Sequence, residues 1–320
     1  MPLLALSPDS ANRWPNRTSG SRDHHQILRV ERFLVHTLGI RLQRKTFDAR
    51  AGSRAWLRFL ALACILFVAP VAARAQGGPP YFTNDPGTPG NHNWEINVGY
   101  IPFLLSDRSV SHVPDLDINF GVGKRIQLTY ENAWLRVQDP NSPAKYGLGQ
   151  SNAGVKWRFY DAGDKLQIST FPQVFVNNPN DAVKRGITPD ANSFLLPFEF
   201  AKKFGPIGLD YEAGYQFVHN GADGWIMGLV AGHDFSERFE VDAEFYSVGT
   251  FHPSFSQPTL DAGARYKIRS PIVLLLMAGR GVNHASSDQP YFVGYFGVQF
   301  LLPPRASPQD QPSPTSTPRP

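Results

Sequence analysis

The sequence predicts an all-β fold, a closed antiparallel transmembrane β-barrel of about 12 strands in residues 94–302. Two observations carry this prediction. Runs of about 10 to 13 residues alternate between apolar and polar positions, and segments rich in Gly, Pro, Asn and Asp separate them. The runs exceed the roughly five or six residues of an average soluble strand and match the roughly 9 to 11 of a tilted membrane strand.

Each predicted strand has two chemically different faces. In the first one, Trp94, Ile96 and Val98 alternate with Glu95 and Asn97. The twelve predicted strands are residues 94–105, 113–123, 125–137, 148–160, 165–176, 192–204, 207–219, 222–234, 238–248, 257–268, 272–281 and 290–302.

The connections between these strands alternate in length. Short turns occur, for example, at residues 124–125, 205–206 and 269–271, whereas most of the intervening connections are longer, as at 139–143. Asn220-Gly221 is the exception, a tight-hairpin signal where a long loop is due. An even strand count with short turns on one rim and mostly long loops on the other is the layout of bacterial transmembrane barrels.

The charges on the polar faces decide between a membrane barrel and a soluble sheet protein. A soluble barrel buries its apolar face, and a dry interior tolerates unpaired charge poorly. We therefore expect the apolar face to contact lipid and the polar face to line the lumen. The predicted lumen-lining residues are Glu95, Asp115, Asp117, Glu131, Lys156, Arg158, Asp210, Glu212, Glu240, Asp242, Glu244, Asp261, Arg265 and Lys267. This surplus of acids is compatible with a cation-preferring channel or with a lumen closed by salt bridges.

An export signal is predicted in residues 53–75. Arg54 and Arg58 precede an apolar run from residue 59 to 73, and Ala73-Arg74-Ala75 has the small-x-small pattern of a cleavage site. The run is shorter than the roughly 20 residues of a membrane-spanning helix, so we expect cleavage after Ala75. Cys64 offers a lipoprotein alternative, although apolar residues flank it on both sides.

The segments outside the barrel receive separate predictions. Residues 1–52 are polar and Arg-rich, and we expect them to be unstructured or to reflect a mis-called start. Residues 76–93 are predicted to be a periplasmic N-terminal segment. Residues 303–320 form a Pro-rich tail that we expect to be disordered.

Removal of residues 1–75 reverses the net charge. Of the 31 basic and 27 acidic residues, 12 and 4 lie in that segment, which leaves 19 and 23 and a net charge of −4. The basic character of the whole chain therefore gives no support for nucleic-acid binding. The remaining chain also has no cysteine, so disulfides and thiolate metal sites are excluded.

Two segments resemble a known family. Residues 78–90, with Pro79-Pro80-Tyr81-Phe82-Thr83-Asn84-Asp85-Pro86, precede the Trp94-Glu95-Ile96 start of the first strand, and residues 291–300 resemble a closing barrel strand. The chain resembles the transporter family named for the MetA pathway of phenol degradation, with Asn84 standing where that family has Asp. The resemblance implies an outer-membrane barrel that moves small compounds, with aromatic ones among the candidates.

Other chemical signals are weak. His112, His219, His252 and His284 lie in or beside predicted outer loops, where histidines are usually solvated, so no metal is expected. His284-Ala285-Ser286 has the order seen in barrel phospholipases, but no third catalytic member accompanies it. No cofactor motif occurs, and we expect no enzymatic activity.

The sequence therefore predicts an outer-membrane channel or transporter for small solutes. A structural or adhesive barrel with a closed lumen is the alternative, and a barrel esterase or phospholipase is a third hypothesis. The expected partners are outer-membrane lipid, the barrel assembly machinery and an unidentified solute, with no nucleic acid.

Overall fold

The computed structural model describes residues 77–282 and 289–304. The predicted signal peptide with Cys64 and the cleavage site, the preceding segment, His284, Ser286 and nearly all of the C-terminal tail lie outside these residues.

The described residues form thirteen β-strands. They are β1 (Trp94–Leu104), β2 (Ser109–Val122), β3 (Ile126–Gln138), β4 (Lys145–Asp161), β5 (Gln167–Thr170), β6 (Gln173–Val176), β7 (Ser193–Phe204), β8 (Ile207–Val218), β9 (Gly224–Ser236), β10 (Phe239–Thr250), β11 (Phe255–Arg269), β12 (Ile272–Gly281) and β13 (Phe292–Leu302). A short 3-10 helix, Gly163–Lys165, precedes β5.

The sheet closes because β1 pairs with both β2 and β13, so no edge remains at the chain ends. Every pairing is antiparallel, and β5 and β6 both pair with β4 on one side and β7 on the other. These two short strands are one barrel strand interrupted at Phe171-Pro172, since proline has no N–H to donate to the ladder. The barrel wall therefore consists of 12 strands, as predicted, when β5 and β6 are counted as one. The predicted fold class is confirmed.

The predicted strands match the observed ones, with a few ends extended. The structure begins β2 four residues before the predicted start, at Ser109, and β4 three residues before, at Lys145. These extensions lie at the ends of the strands, where the outward side chains need not be apolar because the lipid-facing band is only about 25 Å tall.

The two faces of the wall have the predicted orientation. Trp157, Phe239 and Phe296 point outward and are 52%, 38% and 45% exposed, whereas Asp242 is 1% exposed on the inner face. A soluble sheet protein would show the reverse, with aromatic side chains inside and carboxylates outside. The apolar outer face and the ionisable inner face therefore belong to one closed wall.

The two rims differ as predicted. The turn rim holds the connections at residues 123–125, 162–166, 205–206, 237–238 and 270–271, together with the start of β1 and the end of β13. The loop rim holds the other connections, the longest described one being residues 177–192. Among the described residues, no helix is long and apolar enough to cross a membrane.

Candidate functional site

The centre of the lumen is occupied by the chain that precedes β1. We call residues 77–86 the plug segment. The Phe82 and Thr83 N–H groups donate to Glu244 Oε1 at 3.0 and 2.6 Å, and the Asn84 N–H donates to Glu212 Oε2 at 2.8 Å. Two lumen carboxylates thus satisfy the backbone donors of a segment that has no regular secondary structure of its own.

Two lumen bases hold the carbonyl groups of the same segment. The Arg265 guanidinium donates to the carbonyls of Gly77, Gly78 and Pro79 at 3.1, 2.8 and 3.0 Å. It also pairs with Asp242 at 3.3 Å and with Glu240 at 3.5 Å. On the other side of the segment, Lys156 donates to the Asp85 carbonyl and lies 3.4 Å from Glu199.

Aromatic side chains of the plug segment add to this anchoring. The Phe82 ring lies 6.0 Å from the Phe103 ring on β1 and 5.6 Å from the Tyr246 ring on β10, two strands that β11, β12 and β13 separate in the wall. The Tyr81 hydroxyl donates to the Asp242 carbonyl at 3.3 Å, and burial raises the pKa of this hydroxyl. Phe82 therefore bridges part of the lumen midway between the rims.

Two glycines of the wall allow the segment to approach. A Cβ at Gly228 on β9 would collide with the Thr83 side chain, and a Cβ at Gly121 on β2 would collide with the Gly90 carbonyl. A side chain at either position would push the N-terminal chain away from the wall, so these glycines serve close backbone approach.

Towards the loop rim, one part of the lumen wall is apolar. Buried apolar side chains from five strands form it, and two residues of the 177–192 loop, Ala182 and Ile187, pack against those of β3. On β2, β8 and β11, by contrast, the polar residues Ser111, Gln216 and Gln257 are buried toward the same rim. The wall residues are Ala133, Leu135, Val137, Phe175, Leu195, Ile226, Tyr246 and Val248. We call this region the loop half.

Towards the turn rim, most buried side chains are charged or amides, although Val273 and Leu275 of β12 belong to a separate apolar cluster with Tyr81. A cavity of about 340 Å³ lies here beside the plug segment. Its lining includes Glu95, Asp117 and Glu131 from three neighbouring strands. We call this region the turn half.

The predicted lumen residues lie almost entirely in the turn half. Carboxylates Glu212, Glu240, Asp242 and Glu244 cluster with Arg265 around the plug segment, as described above. Glu95, Asp115, Asp117, Glu131, Lys156, Arg158 and Asp210 line the cavity. Asp261 is buried on β11, whereas Lys267 is exposed near the turn rim.

The structure differs from the expectation that residues 76–93 are a periplasmic segment outside the barrel, because the plug segment lies within it. The physical reason is the surplus of lumen carboxylates over lumen bases, which backbone N–H groups of the plug segment partly satisfy. Sequence reasoning also missed Phe82, Thr83 and Asn97 as lumen residues. The surplus of acidic over basic residues on the predicted lumen face was the sequence signal that these carboxylates need other hydrogen-bond donors.

The histidines are dispersed. His112 lies inside the lumen rather than in an outer loop, with its Nδ1 atom 2.6 Å from Asp115 Oδ2. His219 and His252 are exposed at the loop rim. Within residues 77–282 and 289–304, no group of three or more His, Cys, Asp or Glu side chains has a metal-binding arrangement.

Comparisons with known proteins support the fold. No family model and no curated protein matches the chain. Among solved structures, the chain is similar to an outer-membrane channel from Pseudomonas putida F1, with a TM-score of 0.55 and 12% identity over 71% of this chain and 100% of that one. It is less similar to the KdgM porin, with a TM-score of 0.47 and 11% identity over 64% of this chain and 98% of that one.

The first of these similarities shows the fold alone, a closed antiparallel β-barrel like that of the solved channel. Nothing in the comparisons concerns phenol degradation, so the resemblance to the MetA-pathway family stays a prediction.

Proposed function

We propose that this protein is a channel for small solutes in the bacterial outer membrane. The outward aromatic band fits a lipid partner, and the closing strand β13, with Phe292, Phe296 and Phe300, fits recognition by the barrel assembly machinery. Export through the signal peptide, with cleavage after Ala75, belongs to this proposal.

The proposed solutes are small molecules with an aromatic or aliphatic body. The observation that carries this proposal is the apolar part of the loop half, where Val137, Phe175 and Leu195 point inward and are at most 2% exposed because other apolar side chains pack against them. A pore for sugars or inorganic ions would gain nothing from such side chains, because polar solutes lose hydration there without replacement. These side chains therefore favour a solute with a hydrocarbon body.

Solute flux into proteoliposomes tests this proposal. We expect a small aromatic solute to enter faster than a sugar of similar size. Leu195→Asn places an amide in the loop half with the same number of side-chain heavy atoms, and we expect it to reduce the aromatic flux several-fold. Ser254→Asn, in the exposed turn between β10 and β11, is the matched control and should leave the flux unchanged.

The alternative, a structural or adhesive barrel with a closed lumen, is favoured by two observations, the plug segment across the lumen and the packing of the 177–192 loop against β3. The same assay separates the two functions. Absence of flux for every solute, from protein whose heat-modifiable gel mobility shows a folded barrel, would refute the channel and support the closed wall.

A further inference from the structure

The strongest unexplained feature of the lumen is a patch of hydrogen-bond acceptors in the turn half. We call Glu95, Asp117 and Glu131 the acidic patch. Asp117 and Glu131 are direct register partners on β2 and β3, and Asn97 Nδ2 donates to both Glu95 at 3.2 Å and Asp117 at 2.9 Å. The three carboxylates are therefore neighbours on one stretch of wall.

Within the described residues, no lysine or arginine forms an ion pair with the acidic patch. The two bases of β4 that line the same cavity are engaged elsewhere, Lys156 with Glu199 and Arg158 with Asp161 at 3.3 Å. Of the bases on β7, Lys203 lies 3.8 Å from Asp164, and Lys202 lies over the Phe204 ring. The protein thus leaves the negative charge of the patch without a cationic partner among these residues.

Two buried amide oxygens beside the patch also have no partner. Asn97 and Asn152 are 1% and 3% exposed, and the Oδ1 atom of each accepts no hydrogen bond from the described residues. The Nδ2 group of each residue already donates two hydrogen bonds. Asn97 donates to Glu95 and Asp117, and Asn152 donates to Glu131 at 3.1 Å and to Gln173 at 2.8 Å. A buried polar atom left in this way costs free energy unless a ligand or water donates to it. Neither residue lines the cavity, so these two oxygens describe the wall behind the acidic patch and not the ligand site.

The same cavity carries an aromatic and aliphatic surface. Tyr81, Phe82, Ile101, Phe171 and Tyr295 line it together with the acidic patch. Its volume of about 340 Å³ is within the range of small-molecule pockets. Apolar rings next to uncompensated carboxylates match a ligand with a hydrocarbon body and a positive charge at one end, and ring faces also attract such a charge.

We propose that the turn-half cavity is a binding site for protonated organic amines with an aromatic or aliphatic body, whose ammonium group binds the carboxylates of the acidic patch. This proposal deepens the proposed function and rests on it, because it names the class of solute that the channel would carry. A metal ion is a poorer ligand, since the described acidic side chains do not converge at metal-binding distances.

Binding of 2-phenylethylammonium to the purified full-length barrel, followed by calorimetry, tests the site. The neutral probe 2-phenylethanol has the same body without the charge. We expect the ammonium probe to bind about tenfold or more tightly than the alcohol, because charge-assisted hydrogen bonds are the stronger kind. Equal binding of the two probes would overturn the proposal.

Isosteric variants keep the shape of the site. Asp117→Asn combined with Glu131→Gln should weaken ammonium binding at least tenfold and leave alcohol binding unchanged. Glu237→Gln removes an exposed carboxylate from the turn between β9 and β10 and serves as the matched control. If the double variant binds the ammonium probe as well as the parent protein does, the site is not the acidic patch.

Binding of an inorganic cation in place of an amine would give a different result in the competition experiment. If millimolar Na⁺ or Mg²⁺ binds the parent protein and the ammonium probe fails to compete, the ligand class is wrong. Binding is measured without flux, so the two proposals fail separately. A barrel that binds the amine but passes no solute contradicts the channel function alone, and a barrel that passes neutral aromatics without charge preference contradicts only this site.

Discussion

Along β3 and β10, the loop half and the turn half of the lumen have opposite chemistry. On β10, Tyr246 and Val248 face the apolar loop half, whereas Asp242 and Glu244, only a few residues earlier, face the plug segment. On β3, Leu135 and Val137 follow Glu131 in the same way. A solute that crosses the lumen would exchange an apolar environment for one rich in carboxylates.

This difference explains where the plug segment lies. Its backbone needs acceptors and donors, and only the turn half supplies charged ones. Its Phe82 ring contacts the aromatic side chains at the boundary between the halves. The plug segment therefore directs backbone groups toward charged side chains and the Phe82 ring toward aromatic ones. It lies at the boundary between the turn half and the loop half.

Removal of the plug segment should have the largest effect, and that effect is on ion conductance through the lumen. Deletion of residues 77–86 should convert a low or absent planar-bilayer conductance into discrete current steps, since water then hydrates the charges that the segment had bound. Gly228→Leu should raise the conductance in the same direction without shortening the chain, because its side chain collides with Thr83. Unchanged conductance in both variants would show that the segment does not obstruct the lumen.

Loss of Arg265 has the next largest effect. Arg265→Met leaves Glu240 and Asp242 without this cation and releases three carbonyls of the plug segment. We expect a loss of about 3 kcal/mol in unfolding free energy, as for other broken buried ion pairs. Urea titration of the lipid-reconstituted barrel measures it.

The matched control for Arg265→Met is Lys203→Met. The Lys203 partner, Asp164, is well exposed, and such pairs contribute less than about 1 kcal/mol. Equal losses in the two variants would contradict the anchoring role assigned to Arg265.

The smallest expected effect lies outside both halves. At the loop rim, Asp223 accepts a hydrogen bond from the Val218 N–H at 2.9 Å, which together with the Tyr215 hydroxyl lowers the pKa of Asp223. A lowered folded-state pKa gives stabilisation that is present above the unfolded value, near 4, and is lost as the pH falls through the folded value.

Amide exchange at Val218 measures this local effect. Asp223→Asn should accelerate the exchange at neutral pH and leave bilayer conductance unchanged. A change in conductance would mean that the loop rim takes part in solute passage, which the separation of the two halves does not predict.

Much of the barrel could be predicted because its signal is local. Alternation along each strand identifies the wall, and the lengths of the connections distinguish the rims. The apolar loop half was harder to predict, because it interrupts alternation. Residues 101–104 of β1 are apolar at every position, so the pattern marks no inner face there.

The plug segment could not be predicted from local patterns. Phe82 and Glu244 are separated by 162 residues, and nothing near Phe82 in the sequence indicates a carboxylate partner. The cluster of lumen acids was visible in the sequence, yet it was interpreted as pore selectivity or salt bridges. Backbone amides as their partners require the three-dimensional path of the chain.

The pairing of β1 with β13 also constrains the order of assembly. The plug segment is joined directly to β1, while its anchors lie on β4, β8, β10 and β11, farther along the chain. The segment can be captured only when the nascent sheet curls around it, so seam closure and capture are coupled late events in biogenesis. Contacts between residues that are far apart in the sequence make folding slow. A partly folded intermediate would expose both the unpaired edges of β1 and β13 and the unbound plug segment to periplasmic proteases.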